Sequence, residues 1–269
     1  MGDELSAVRR EVLGPGPAEA LAGMLDIDVP DAGGLPPLWH WIYLLERRPQ
    51  RDLGPDGHPT SGIPAPPGPG RLRMFAGGRV TTHRRLALGV EATRTTSIAH
   101  TREKVGRSGP LSFVTVRNEI VQEGELAIVD EQDIVYRSPG STLPPSRDET
   151  EERRPSSREP SLVLDVDAAL LFRFSALTYN AHRIHYDHAY VRQEGYADLV
   201  VHGPLQALMM GELIRRTGID LIGKEYSYRL VAPMVGPQQM TVVAGEAGIG
   251  SGAETRDQSG TVTAVSSLR

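Results

Sequence analysis

One pattern, which occurs twice, constrains the fold of this 269-residue chain most strongly: a segment with helical spacing of apolar residues, followed by segments in which apolar and polar residues alternate. Residues 79–136 alternate with a period of two, carry many β-branched side chains and have Gly at the joints, which predicts antiparallel strands. The segments 226–235, 238–248 and 261–269 repeat this pattern in the second half. We therefore expect an α+β protein with an antiparallel sheet in each half.

The two predicted helices are similar to each other. Residues 36–48 and 203–216 both have a Pro-Leu pair near the start, where the missing proline N–H costs no hydrogen bond. Both also carry apolar residues at helical spacing, so each has a face that must pack against something. A central helix wrapped by its own antiparallel sheet, present twice, satisfies both patterns. Two unrelated α+β domains are the alternative.

Segments rich in Pro suggest the domain boundaries. Residues 139–160 contain much Pro, Ser and charge and few apolar side chains, so we interpret them as a linker. They would separate an N-terminal domain, 1–138, from a C-terminal domain, 161–269. A second Pro/Gly-rich segment, 49–70, is interpreted either as a long surface loop or lid, or as plain disorder.

Charge and composition exclude several classes of function. The net charge of −5 and the lack of a basic cluster argue against nucleic acid as a partner. No apolar run approaches the roughly 18 residues needed to span a bilayer, and residues 1–14 lack the apolar core of a signal peptide. We therefore expect a cytoplasmic protein without membrane contact. Because the chain has no cysteine, catalysis must depend on His, acidic, amide or hydroxyl groups.

Histidine is concentrated in one short region. Four of the eight histidines occur at positions 182, 185, 188 and 202. Such a group can bind a metal, make structural hydrogen bonds, or contain a general acid/base. The spacing of the first three fits a metal poorly and no His-Glu-x-x-His pattern occurs, so we expect no metal. We favour acid/base catalysis by one histidine that a neighbouring amide orients.

Residues 180–187, Asn-Ala-His-Arg-Ile-His-Tyr-Asp, resemble the signature of the MaoC-like or R-specific enoyl-CoA hydratases, Asp-x-Asn-Pro-hydrophobic-His-x-Asp. In an ungapped match, His185 takes the place of the catalytic His and Asn180 that of the catalytic Asp. Residues 201–203, Val-His-Gly, resemble the Val-His-Gly of the same family, whose Gly N–H is the oxyanion donor.

First-half phrases such as KVGRSGPLSFV and EQDIVYR are similar to one branch of this superfamily. That branch contains mesaconyl-C4-CoA and itaconyl-CoA hydratases and mitochondrial-type hydroxyacyl-thioester dehydratases. The resemblance covers nearly the whole chain and implies a double hot-dog fold, with two antiparallel sheets each wrapped around a central helix and a degenerate N-terminal unit. Because the motif occurs only in the second half, we expect one active site per chain, confined to the C-terminal domain.

The resemblance implies a role for each matched residue. His185 would take a proton from water in hydration and return it in dehydration. The N–H of Gly203, at a helix start, would stabilise negative charge on the thioester oxygen, and the absence of a side chain would let the substrate approach. The amide of Asn180 cannot be a base. We expect it to hold the water or hydroxyl while His185 alone transfers protons.

Other residues near the motif are candidates for binding the substrate. They are His182, Arg183, His202 and Arg107. His182 and Arg183 could reach the phosphopantetheine or an acidic acyl group, and Arg107 a carboxylate or a CoA phosphate, although an exposed arginine is more often a solvated surface charge. Asp187 would orient His185 or cap a helix.

The sequence therefore predicts a hydro-lyase for enoyl thioesters, with a short branched dicarboxylyl-CoA such as mesaconyl-C4-CoA as the favoured substrate. A 3-hydroxyacyl thioester dehydratase of fatty-acid or polyketide metabolism is the second candidate, and a hot-dog thioesterase or a non-catalytic thioester-binding module the third. We expect no cofactor beyond the CoA or phosphopantetheine of the substrate. The expected partner is an acyl-CoA or an acyl carrier protein, and a homodimer is compatible with the fold.

Overall fold

The computed structural model describes residues 6–30, 33–65, 72–106, 109–137 and 158–269. The strands of the first half are β1 (Ala7–Val12), β2 (Leu72–Thr82), β3 (Glu91–Gly106), β4 (Gly109–Gln122) and β5 (Glu125–Arg137). Those of the second half are β6 (Ser161–Val166), β7 (Glu225–Leu230), β8 (Gln238–Ala244), β9 (Ala253–Arg256) and β10 (Val262–Leu268). The α-helices are α1 (Gly16–Met24), α2 (Ala168–Leu177), α3 (His188–Gln193) and α4 (Gly203–Arg216).

The strands of the two halves form one antiparallel sheet of ten strands, in the order β1-β3-β4-β5-β2-β7-β10-β9-β8-β6. The halves meet where β2 pairs with β7, with Gly77 opposite Arg229 and Gly78 opposite Tyr228. Gly77 has a φ of 153°, and a Cβ there would overlap the carbonyl oxygen of Tyr228. Glycine therefore lets the two five-stranded sheets join edge to edge. The antiparallel sheets predicted from the alternating segments are confirmed.

Helix α4 is the central helix of the second half. Its residues from 203 to 214, except Pro204, are all buried, because the sheet curves around it and α4 contacts β8, β9 and β10. The buried amide oxygen of Gln206 is satisfied by hydroxyls from the sheet, since it accepts from Thr255 at 3.0 Å and from Thr263 at 2.7 Å. The helix predicted at 203–216 is confirmed at both ends.

The helix predicted at 36–48 is wrong. The segment contains only one turn of 3₁₀-helix, Trp39–Ile42, flanked by Leu38 and Leu44 with left-handed φ values of 75° and 54°. Residues 38–45 are almost continuously apolar, so the run defines no helical face and tertiary contacts decide its path. Trp39 is fully buried and donates its Nε1–H to Glu212 of α4 at 2.8 Å. No long central helix occupies the described part of the first half, which leaves room for a cavity.

The interpretation of 139–160 as a linker falls almost wholly outside the described residues. The domain boundaries at 138 and 161 stay a prediction, although β1–β5 and β6–β10 fall on either side of that segment. No helix in the described ranges is long and apolar enough to cross a membrane.

Candidate active site

A cavity of about 540 Å³ lies between the two halves and is lined by residues from both. The second half contributes Asn180, His182, His185 and Gly203. The first half contributes Asp130, His58 and Arg73, among others. Three of these positions, 180, 185 and 203, are those to which the resemblance assigns catalysis.

His185 is buried and held in one orientation by the backbone. Its Nδ1 lies 2.7 Å from the carbonyl oxygen of Val200, so Nδ1 carries the proton of the neutral ring and donates it to that carbonyl. Burial lowers the pKa of His185 to about 4, against a smaller opposing effect of the Val200 carbonyl, and the nearby His58 lowers it further. The ring is therefore neutral at pH 7. Its Nε2 has an unprotonated lone pair with no partner among the described residues, as a general base requires.

His202 lies behind His185, away from the cavity surface. It is fully buried, its ring stacks on that of His185, and its Nε2 is 2.8 Å from the Oγ of Ser175. Phe174 packs edge-on against it with ring centroids 4.9 Å apart. This position favours fixing the plane of His185 over the substrate contact expected from the sequence.

Asn180 follows the end of helix α2. The helix ends at Leu177, and Tyr179 takes a left-handed conformation with a φ of 52°. The Oδ1 of Asn180 accepts a hydrogen bond from the backbone N–H of His182 at 3.0 Å. Its two amide N–H groups, which have no partner in the described part of the chain, are left to donate into the cavity.

Gly203 is the first residue of helix α4, and its N–H has no acceptor among the described residues. This N–H belongs to the first turn, where the helix dipole favours negative charge. A Cβ at position 203 would overlap the Leu230 side chain and lie 3.1 Å from Cδ1 of Phe75. A side chain here would force Leu230 and Phe75 to shift, so their close packing favours glycine, in addition to any need for access by the substrate.

Asp56 and His58, from the first half, reach the same histidines. The Oδ2 of Asp56 is 2.9 Å from His58 Nδ1, and its Oδ1 accepts from the backbone N–H of His58 at 3.0 Å. Burial would raise the pKa of Asp56, but the hydrogen bonds from His58 and the electrostatic effects of His58 and His182 outweigh burial and lower this pKa to about 2. The rings of His58 and His182 are 4.1 Å apart. The expectation that the site is confined to the second half is therefore wrong for the lining of this cavity.

His182 lines the cavity between His58 and His185. Its ring centroid is 5.6 Å from that of His185. Burial, and then the neighbouring His58 and His185, lower the pKa of His182 to about 2, so it too is neutral at pH 7. Asp56, His58 and His182 each place one potential ligand atom within 4.8 Å of the others, so among the described residues this is the group that could hold a metal ion.

The described part of the Pro/Gly-rich segment packs directly on the catalytic motif. The backbone N–H of Arg183 donates to the carbonyl oxygen of Asp56 at 2.9 Å, and Nη1 of Arg183 donates to that of Pro55 at 2.9 Å. A Cβ on Gly57 would overlap the carbonyl oxygen of Ala181. These contacts hold residues 55–58 against the motif and favour the loop or lid interpretation over disorder for 49–65.

The remaining predicted residues lie elsewhere. Arg183 does not line the cavity. It pairs with Asp187 at 2.7 Å and stacks on Tyr190, so its position favours stabilising this loop over binding a substrate. Asp187 caps α3 by accepting from the backbone N–H groups of Ala189 and Tyr190 at 3.0 Å, and the Val200 carbonyl orients His185 instead. Arg107 lies outside the described residues.

The sequence analysis missed Asp56, His58 and Arg73. The one signal for Asp56 and His58 was the Asp-Gly-His-Pro run inside a Pro/Gly-rich segment that is too long for a simple turn, and Arg73 had none. Nothing local indicates which residues such a segment will contact.

A neutral, fixed imidazole and a free helix N-terminal N–H at one cavity define an acyl-thioester hydratase or dehydratase of the hot-dog fold. The chain belongs to the hydroxyacyl-thioester dehydratase type 2 family, whose sequence model matches residues 38–236. It is a hydro-lyase of the MaoC-like superfamily.

Similar proteins agree with this assignment. A mesaconyl-C(4)-CoA hydratase of Chloroflexus aurantiacus is 46% identical over 224 residues, which cover 81% of this chain and 79% of that protein. The crystal structure of HtdX of Mycobacterium tuberculosis has a TM-score of 0.70 at 15% identity and covers 98% of this chain and 99% of that one. A second M. tuberculosis protein, described as a double hotdog fold, has a TM-score of 0.54 at 13% identity and covers 100% of this chain and 95% of that one. The double hot-dog fold is confirmed.

Proposed function

We propose that the protein hydrates the double bond of a short branched dicarboxylyl-CoA, with mesaconyl-C4-CoA as the substrate. The 46% identity to the Chloroflexus enzyme supports this acyl group. Positive charge in the cavity supports it as well, because Arg73 lines the cavity near the histidines and suits an anionic acyl group better than an alkyl chain. The observation that carries the chemistry is the bond from His185 Nδ1 to Val200, which leaves a neutral Nε2 as the base.

The geometry supports the following reaction. Nε2 of His185 removes a proton from a water molecule that the amide of Asn180 holds, and the hydroxyl adds to the β-carbon of the enoyl thioester. The electron pair of the double bond moves to the thioester oxygen, where the N–H of Gly203 stabilises it; losing one such donor typically costs about 3 kcal/mol. The imidazolium of His185 then returns its proton to the α-carbon, so that one group serves both transfers.

The second candidate is a 3-hydroxyacyl-thioester dehydratase, with CoA or an acyl carrier protein as the carrier. The family description favours it, and the same residues would catalyse the reverse reaction. The charged lining of the cavity disfavours a long apolar chain. The homodimer, the cytoplasmic location and the lack of a cofactor stay predictions.

One assay separates these functions. The purified protein is incubated with mesaconyl-C4-CoA, crotonyl-CoA and a long-chain enoyl-CoA, and enoyl absorbance and free thiol are followed together. We expect the highest kcat/KM with mesaconyl-C4-CoA and no thiol release. Preference for the long-chain enoyl-CoA would favour the dehydratase. Release of thiol would indicate a thioesterase, and no reaction with any of the three substrates would indicate a binding module.

A further inference from the structure

Two arginines of the cavity, Arg73 and Arg94, form no ion pair with a described residue. The third arginine of the cavity, Arg9, forms an ion pair with Glu46 at 2.7 Å. Arg73 and Arg94 are mostly buried, and no hydrogen bond or ion pair joins the guanidinium group of either one to a described residue. Burial lowers the pKa of both guanidinium groups, yet an arginine stays charged in a protein. A buried cation without a partner is costly, so an anion that enters the cavity would find a site already prepared.

Strand geometry places Arg73 at the reacting end of the cavity. Arg73 and Phe75 are alternate residues of β2, in a stretch that pairs regularly with β5, so both side chains lie on the same face. Phe75 lies against Gly203, the expected oxyanion donor. Side chains on one face repeat about every 6.8 Å along a strand, which is the distance from Phe75 to Arg73. Because Phe75 lies against Gly203, Arg73 is about that far from Gly203 along β2.

The neighbours of Arg73 agree with this position. Its positive charge is among the groups that lower the pKa of His182, after burial and the two other histidines, so Arg73 lies near the histidine cluster. The charges of Asp56 and Glu46 act on Arg73 and partly oppose the effect of burial on its pKa, but neither carboxylate forms an ion pair with it. Arg73 is thus next to the reacting groups and still without an anionic partner in the described chain.

Arg94 lies in a different part of the cavity. It is on β3 opposite Arg9 of β1, and the charges that act on it are those of Arg9, Asp130, Glu46 and Glu11. None of these groups belongs to the histidine cluster.

We propose that Arg73 is the binding site for the free carboxylate of the substrate, and so determines the specificity for dicarboxylyl over monocarboxylyl thioesters. This inference rests on the proposed function. In mesaconyl-C4-CoA the carboxylate is attached to the carbon that receives the hydroxyl. When the thioester oxygen is at Gly203, that carbon is next to His185 and the carboxylate lies at the far end of the short acyl group. The distance from the thioester oxygen to the carboxylate is then comparable to the distance from Gly203 to Arg73 along β2. The planar guanidinium can bind both carboxylate oxygens at once.

The test compares two substrates that differ at the proposed contact. Mesaconyl-C4-CoA carries the carboxylate, and crotonyl-CoA lacks it. We expect Arg73→Met to lower kcat/KM for mesaconyl-C4-CoA on the order of 100-fold, as for a buried charge pair that loses one partner, and to change the value for crotonyl-CoA less than about threefold. Arg73→Lys, which keeps the charge but not the paired donors, should fall between Arg73→Met and the wild type.

Arg94→Met is the matched control, because it removes a second unpaired arginine from the same cavity. Its ratio of kcat/KM for the two substrates should stay at the wild-type value. Thermal melting checks the fold, and Arg73→Met should melt no lower than the wild type because an unpaired buried charge is removed.

The possible failures are distinguishable. A wild-type protein that hydrates crotonyl-CoA but not mesaconyl-C4-CoA would overturn the proposed substrate, and this inference with it. A wild type that prefers mesaconyl-C4-CoA would overturn the inference alone in two cases: if Arg73→Met lost both substrates equally, or if Arg94→Met and not Arg73→Met lost the preference.

Discussion

The imidazole rings of His185 and His202 stack face to face, with centroids 3.6 Å apart and planes 20° from parallel. His202 is fully buried, so we expect it to act on the reaction through His185 and not on the substrate. With the Val200 carbonyl at Nδ1, the stack fixes the plane in which Nε2 meets the water. A base held in this way needs no reorganisation before it accepts a proton.

Removing the stacked ring should therefore impair turnover more than binding. We expect His202→Ala to lower kcat roughly 10- to 100-fold with little change in KM, because His185 can then tilt. His202→Phe keeps a flat ring and should recover most of this loss. Steady-state kinetics with the preferred enoyl-CoA measure both variants. Equal losses for Phe and Ala would instead indicate that the hydrogen bond to Ser175 is what matters.

The pH dependence of hydration should report the burial of His185. Since its pKa is lowered to about 4, the ring is neutral and able to act as a base from well below pH 6.5 upwards. We expect kcat/KM to fall only as the pH drops towards about 4, and His185→Ala to lose on the order of 100- to 10,000-fold at pH 7. A fall in kcat/KM centred near pH 6.5 would contradict the assignment, and so would activity close to that of the wild type in His185→Ala.

The same shift couples to stability with a definite sign. The unfolded chain binds a proton at His185 below about pH 6.5, whereas the folded chain resists it down to about 4. The free energy of unfolding should therefore decrease as the pH falls through this window, and His182 should contribute in the same direction. Urea titrations at pH 7 and pH 5 measure the decrease. The double variant His182→Gln, His185→Gln should show a smaller one.

Asn180 provides a test of whether the site has one base or two. Because its Oδ1 is occupied by the N–H of His182, its role should be donation by the amide N–H groups. Asn180→Ala and Asn180→Asp should both lower kcat, by about 10-fold or more, with the fold intact. The Asp variant retains the acceptor for His182 and replaces the donors with a charged acceptor, so wild-type activity in Asn180→Asp would show that donation is not the role.

Local pattern was enough for much of the fold. Alternation predicts strands because successive residues of a half-buried strand point to opposite faces of the sheet. Helix α4 is predicted because apolar residues at helical spacing follow its Gly-Pro start. The prediction for the segment around Trp39 was wrong because its run of apolar residues has no period. Its path depends on the contact with Glu212, which is 173 residues away in the sequence.

The candidate site divides in the same way. Asn180, His185 and Gly203 belong to two short motifs whose chemistry is visible in the sequence. His58 and Arg73 enter the cavity only because a loop and a strand of the first half dock on the second. Such docking depends on shape, as where Gly57 meets the Ala181 carbonyl, and no periodicity encodes it.

Asp56, His58 and His182 are close enough to bind a metal, but we expect them to act without one. Both oxygens of Asp56 are already acceptors for His58, which orients the imidazole as in a carboxylate–histidine pair. Dialysis against EDTA should therefore leave kcat unchanged. Asp56→Asn keeps the shape of the side chain but removes its charge, and it should lower kcat several-fold because the His58 ring is no longer held in one orientation. Elemental analysis of the purified protein completes the comparison. Stoichiometric zinc together with loss of activity in EDTA, restored by zinc in the wild type but not in Asp56→Asn, would show that the three residues are metal ligands.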